Sequence, residues 1–168
     1  MVHSNFTLYK EQDAVERTLV LVKPDALQRG LVGEIVARFE RKGLKLAGMK
    51  LMNLTDATLD EHYSHLKDKP FFPGLKSFMR TTPVVALCLE GVEAVEAVRG
   101  LCGVTNARRA APGTIRGDMG MSNQCNLVHA SDSLETAQAE VKRFFRDDEL
   151  LSYASASDHT VYADDERK

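Results

Sequence analysis

Apolar positions fall along this chain in short runs that alternate between strand-like and helix-like spacing. Thr18-Leu-Val-Leu-Val-Lys23 reads as a buried strand that Pro24 stops. Gly33 to Gly43 carries Ile35, Val36 and Phe39 on one face and reads as a helix, with Gly43 as its stop. Leu44 to Leu54 alternates in part and suggests a second strand. A helix follows with Leu59, Tyr63 and Leu66 at helical spacing. Its start is either a Thr58-x-x-Glu61 capping box or an N-cap at Thr55. Lys69-Pro-Phe-Phe-Pro-Gly-Leu75 breaks regular structure, and Leu75, Phe78 and Met79 then suggest a short helix. Pro83 to Leu89 is almost wholly apolar, which predicts a third strand covered on both faces. Val92, Val95, Val98 and Cys102 mark another helix, ended by Gly103. A long loop runs through Asp118 and a small-residue stretch to Gln124, before a fourth strand at Asn126 to His129. Leu134, Ala137, Val141, Phe144 and Phe145 define the last clear helix.

Removing the helical hairpin around residues 58–79 leaves the order βαββαβ, the ferredoxin-like split unit. The expected fold is α+β: a four-stranded antiparallel sheet with helices packed on one face and a helical hairpin insertion. Residues 1–15 read as a polar arm, 16–163 as one domain, and 164–168 as a charged, frayed tail.

Composition narrows the function. With 168 residues and 43% hydrophobic content, the chain has enough apolar surface for one core. Its 22 basic and 24 acidic side chains give a net charge of −2, which argues against a general nucleic-acid binder but leaves room for a local cationic pocket. No apolar run approaches the ~18 residues of a membrane span. Met1 to Glu16 is polar, with no sign of a signal peptide. The three cysteines, Cys88, Cys102 and Cys125, are far apart and odd in number, which suggests a reduced, cytoplasmic setting.

Two segments carry candidate chemistry: Pro112-Gly-Thr-Ile-Arg116-Gly-Asp118 and Asn126-Leu-Val-His129-Ala-Ser131-Asp132. A histidine at a strand end, just before a helix N-terminus, suits work on anions, because free N–H groups and the helix dipole favour negative charge there. Arg116 adds a fixed cation whose fork matches phosphate. No Walker-type loop or kinase glycine loop is present, so any nucleotide phosphates must be held by side chains. Lys23, Tyr63, Arg99, Thr105 and Arg116 are the candidates. His62 and His65 have the spacing of a metal pair, but the sequence supplies no third ligand beside them.

These residues resemble the nucleoside diphosphate kinase family. The matching motifs are Glu16-Arg-Thr18, Lys23-Pro-Asp25 with Gln28-Arg-Gly-Leu-Val-Gly33, His62-Tyr63, Pro70-Phe-Phe-Pro-Gly74, Pro112 to Asp118, and Asn126-x-x-His129-x-Ser131-Asp132. They occur in family order without insertion or deletion from about Glu16 to Tyr162. The resemblance implies a ping-pong shuttle in which a nucleoside triphosphate such as ATP phosphorylates His129 and a diphosphate then takes the group, maintaining nucleotide pools. It implies that Arg116 stabilises the transferring group, and that Arg99 and Thr105 hold the β-phosphate. Lys23 and Asn126 would contact the ribose, with Lys23 also near the transferring phosphate. Tyr63 would sit beside the histidine, while Glu140 and Ser131 orient it. Phe71 would stack on the base with Leu75 alongside, which gives base tolerance because every base has a π-face. Mg²⁺ would bridge the phosphates with little direct ligation by protein. A homo-oligomer is implied, a hexamer or alternatively a tetramer. Weaker alternatives are a scaffold that keeps the fold and a phosphocarrier acting on proteins.

The chain departs from the family pattern at several points. Ala130 stands where glycine usually follows the histidine, and its methyl would crowd the site if the backbone there needed positive φ. Ala26 replaces the glycine of Lys-Pro-Asp-Gly, and Asn123 replaces an apolar residue at the far side of the base slot. Gln124-Cys125 replaces Gly-Arg, and Ala107 with Arg108-Arg109 replaces a proline.

Overall fold

The computed structural model describes residues 15–166. Four strands, β1 (Val15–Val22), β2 (Lys45–Met52), β3 (Val84–Val92) and β4 (Val128–Ala130), form one sheet in the order β2-β3-β1-β4. Every pairing is antiparallel, and the register places Leu21 opposite His129. The helices are α1 (Pro24–Gln28), α2 (Val32–Lys42), α3 (Asp56–His62), α4 (Phe72–Met79), α5 (Ala94–Cys102), α6 (Ile115–Met119), α7 (Leu134–Phe144) and α8 (Asp158–Val161). The antiparallel βαββαβ frame is as expected.

The helices cover both faces of the sheet, not one. Val20 and Val22 of β1 and Val85, Leu87 and Leu89 of β3 point to one core with Ile35, Phe39 and Val98. The intervening Leu19, Leu21, Val84, Ala86 and Cys88 point to a second core with Leu59, Met79, Val141 and Phe144. The unbroken apolar runs of β1 and β3 are the cause. Successive side chains in a strand face opposite ways, so a run with no polar member needs cover on both sides.

Local boundaries follow residue chemistry. Thr55 is the α3 N-cap, accepting from the Thr58 amide at 3.1 Å. Gly43 ends α2 at φ 98, a left-handed position that favours glycine. Pro24 ends the β1 run but also opens α1, where its missing N–H costs nothing. The expected loop through Asp118 contains α6, whose N-cap Thr114 accepts from the Gly117 amide at 3.0 Å. A Cβ on Gly117 would lie 2.0 Å from the Ala111 carbonyl oxygen, so this turn requires glycine.

Beyond Leu150 the chain docks on β2: the Leu151 amide donates to the Ala47 carbonyl at 2.8 Å. The Tyr162 hydroxyl then accepts from the Val92 amide at the end of β3, at 3.3 Å. Residues 164–166 of the tail form a turn, with the Glu166 amide on the Ala163 carbonyl at 3.1 Å. The polar arm falls outside the described residues except Val15, which opens β1.

Candidate active site

His129 sits in the middle of the short strand β4, and its side chain is 22% exposed. Its Nε2 lies 3.0 and 3.1 Å from the two carboxylate oxygens of Glu140, which projects from α7. Ser131 donates to the same carboxylate at 2.6 Å and accepts from the Leu19 amide of β1. Burial pushes the Glu140 carboxyl up, but the hydrogen bonds and charge of His129 and the Ser131 hydroxyl outweigh it and hold the group below its usual range. The ionised carboxylate only accepts, so in the neutral His129 ring the proton sits on Nε2 and the lone pair on Nδ1. Two rings brace the imidazole. His62 lies edge-on at 4.5 Å between centroids, and Tyr63 at 6.1 Å. Burial, then the charge of Glu140, pushes the Tyr63 phenol up, so it keeps its proton. Burial and the neighbouring His129 push the His62 imidazole down to about 3.

Next to the histidine is a cavity of about 780 Å³, lined by Lys23, Arg99 and Arg116, by Phe71 and Leu75 of the α4 region, and by Thr105. Tyr63, Asn126 and His129 also line it, while Ser131 and Glu140 stand behind the histidine. The sequence expected the α7 N-terminus to provide the anion-friendly surface. It does not line the cavity; the positive charge comes from side chains.

Arg116 is held by three carbonyls, Gly103 at 2.6 Å, Val128 at 2.7 Å and Asn126 at 3.2 Å. Three of its five N–H groups are thus committed and two remain for a ligand. Lys23 donates to the Gln124 carbonyl at 2.5 Å and to Asn126 Oδ1 at 2.8 Å. Burial pushes its ammonium down to about 8, with Asp25 pulling back upward and Arg116 downward. Asn126 is tied on its donor side as well, giving Nδ2 to the Thr105 and Asn123 carbonyls at 2.9 Å. It organises the loop at the cavity wall, and its remaining capacity is on Oδ1.

Three features were not legible in the motifs, although Asp25 and His62 lie within them. Leu127 adopts φ 75, a strained conformation for leucine that costs about 1–2 kcal/mol. Its amide donates to Asp25 Oδ2 at 3.0 Å and its carbonyl accepts from the Lys23 amide at 2.8 Å, while its side chain is fully buried. This clamp joins the β1–α1 turn to β4 and so fixes Lys23, Asn126 and His129 together. Asp25 in the first turn of α1 was the available signal; the strain at Leu127 has none in the sequence. The third feature is His62, whose ring is buried against His129.

The nucleoside diphosphate kinase family model matches residues 16–150. A nucleoside diphosphate kinase of Parabacteroides distasonis is 59% identical over 152 residues, covering 90% of this chain and 99% of the relative. One of Staphylococcus haemolyticus is 49% identical over 148 residues, covering 88% and 99%. The chain belongs to the nucleoside diphosphate kinase family. The solved structure of a halophilic nucleoside diphosphate kinase from Halobacterium salinarum in complex with CDP superposes with a TM-score of 0.87 at 47% identity, covering 89% of this chain and all of that one. Membership in this kinase family makes the chain a phosphotransferase, and the cationic cavity beside His129 is suited to that chemistry.

Against the family pattern, Ala130 raises no conflict. It lies in extended β4, paired with Val20, and is not among the positive-φ residues. Asn123 and Gln124 line the cavity in an exposed stretch, and Gln124 Nε2 reaches the Gly74 carbonyl across the cleft at 3.5 Å.

Proposed function

We propose that this nucleoside diphosphate kinase works through a phosphohistidine at His129. The observation that carries the reading is the pairing of Nε2 with a buried carboxylate in a ring that lines a cavity holding three cations; that pairing leaves the lone pair of the neutral ring on Nδ1. The Nδ1 lone pair attacks the γ-phosphorus of a nucleoside triphosphate. The bond to the β,γ-bridging oxygen breaks, and the diphosphate leaves with that electron pair. In the return half, a β-phosphate oxygen of a second diphosphate attacks the phosphorus and the electron pair of the P–N bond returns to Nδ1. Nε2 keeps its proton and donates to Glu140 throughout, and the carboxylate stabilises the positive charge that the ring gains.

Phosphoryl transfer asks mainly for positioning and charge neutralisation. The two free N–H groups of Arg116 suit the transferring group, and Arg99 with Thr105 the β-phosphate. Lys23 keeps one donor and Asn126 one Oδ1 lone pair for the ribose hydroxyls. Phe71, 56% exposed, offers a stacking face for the base with Leu75 beside it. No carboxylate lines the cavity among the described residues, so Mg²⁺ would be held by the nucleotide's phosphates, where it would neutralise charge, with little ligation by protein.

Residues 16–163 act as one kinase domain in this reading. A homo-oligomer, hexamer or tetramer, would cover the exposed apolar side chains of edge strand β2, Met49 at 49% and Leu51 at 62%. No helix of the described residues is long and apolar enough to cross a membrane, and a cytoplasmic setting suits the three free cysteines.

The test is labelling with γ-labelled ATP and Mg²⁺. The protein should acquire an acid-labile, alkali-stable phosphate that a nucleoside diphosphate discharges. Unlabelled wild-type protein, or full labelling of His129→Ala, would sink the reading.

A further inference from the structure

The phosphoryl mechanism leaves His62 unused. Its side chain is wholly buried, and neither ring nitrogen has a hydrogen-bond partner among the described residues. Buried polar groups are nearly always paired, so this vacancy of hydrogen bonding calls for an explanation. His62 Nδ1 lies 3.6 Å from Glu140 Oε1, and the same oxygen lies 3.1 Å from His129 Nε2. One ligand atom from each of His62, His129 and Glu140 falls within 4.8 Å of the others. With metal–ligand bonds of about 2.0–2.2 Å, neighbouring donors around a tetrahedral ion stand roughly 3.3 Å apart. The two measured separations bracket that value. The third edge, between the ring nitrogens of His62 and His129, lies within 4.8 Å, and the partly exposed His129 joins the triangle to the cavity.

We propose that His62, His129 and Glu140 form a binding site for a transition-metal ion of the Zn²⁺ class, and that the bound ion switches the kinase off. Two imidazoles and one carboxylate oxygen suit Zn²⁺, Co²⁺ or Cu²⁺ and not Mg²⁺, so this ion differs from the one carried by the nucleotide. Sequence spacing offered only His62 and His65; the fold supplies the missing ligands from β4 and α7. Ser131 stays on Glu140 Oε2 and steadies the carboxylate from outside the triangle. The metal takes the Nε2 lone pair of His129, and the ring proton moves through solvent to Nδ1. The nitrogen that accepts phosphate then carries a proton in place of its lone pair. This blocking step rests on the phosphohistidine reading; metal binding itself does not.

Co²⁺ titration of the intact, nucleotide-free protein tests the site directly. Wild type should develop the visible d–d bands of a tetrahedral ion, and His62→Asn and His129→Asn should each lose them. In turnover assays with Mg²⁺-nucleotide in excess, Zn²⁺ should inhibit wild type. His62→Asn, scaled to its own metal-free rate, should need at least about tenfold more Zn²⁺. Circular dichroism checks that each variant is folded, and His129→Asn serves where His62→Asn is not. Absence of tetrahedral bands in wild type overturns the proposal. So do bands and Zn²⁺ sensitivity that survive removal of His62, which would place the ion on nucleotide or elsewhere. The Co²⁺ spectrum needs no turnover, so its failure leaves the phosphohistidine standing, and a failed phosphohistidine leaves a Co²⁺ site standing.

Discussion

The two ends of the cavity are built differently. At the histidine end, His129, Glu140 and Ser131 form a short chain of hydrogen bonds anchored on β1, β4 and α7, with a strained Leu127 locked next to it. At the base end, Phe71, Asn123 and Gln124 are exposed, and the cross-cleft contact of Gln124 with Gly74 is a long 3.5 Å. One end fixes a lone pair to within one tautomer, while the other presents a surface. In the proposed function, this arrangement holds the reacting phosphate tightly and any base loosely. Changes at the histidine end should therefore reach kcat, and changes at the base end KM.

The largest effect is expected at Arg116, which serves both ligand and fold. Arg116→Ala should lower kcat/KM by about 10²–10³-fold, the scale for losing a charge-stabilising donor. It should also lower the denaturant midpoint, since three carbonyls lose a buried partner. Glu140→Gln should cut kcat by about 10- to 100-fold with little change in KM, because the acceptor's tautomer is no longer fixed. An equal rise in KM would break the division between the two ends.

Lys23 yields opposite trends from one group. Its folded value of about 8 lies below the ordinary 10.5, so the unfolded chain binds more protons between those values. Stability should rise as pH climbs through that window, by roughly 3 kcal/mol at most. Over the same range the site loses a cation, so KM for nucleotide should rise. Lys23→Met should flatten both profiles, measured by denaturant titration and steady-state kinetics.

At the base end, Phe71→Ala should raise KM about 5- to 10-fold for all bases alike and leave kcat unchanged, the lower part of the stacking range for a half-exposed ring. The smallest effect is expected at Ala130→Gly, within about twofold in kcat, because extended β4 makes no use of glycine's extra freedom. A larger gain would show that the methyl does crowd the acceptor.

The sequence carried the βαββαβ element order and the cavity's cationic and aromatic members, because each motif is local and their sum is collinear with one family. It misplaced the helices to one face, although the all-apolar β1 and β3 runs already demanded cover on two. It credited a helix N-terminus with the anion-binding role, since strand–helix adjacency in sequence does not say what lines a cavity. Asp25, Leu127 and His62 act through partners distant in the chain, and such contacts have no sequence period.

The central claim is that Glu140 holds Nε2 and leaves Nδ1 to accept phosphate. ³¹P NMR of the phosphoenzyme, trapped with ATP and read against Nδ1- and Nε2-phosphohistidine standards, decides it. The geometry predicts phosphorus on Nδ1 of His129; phosphorus on Nε2 would contradict it.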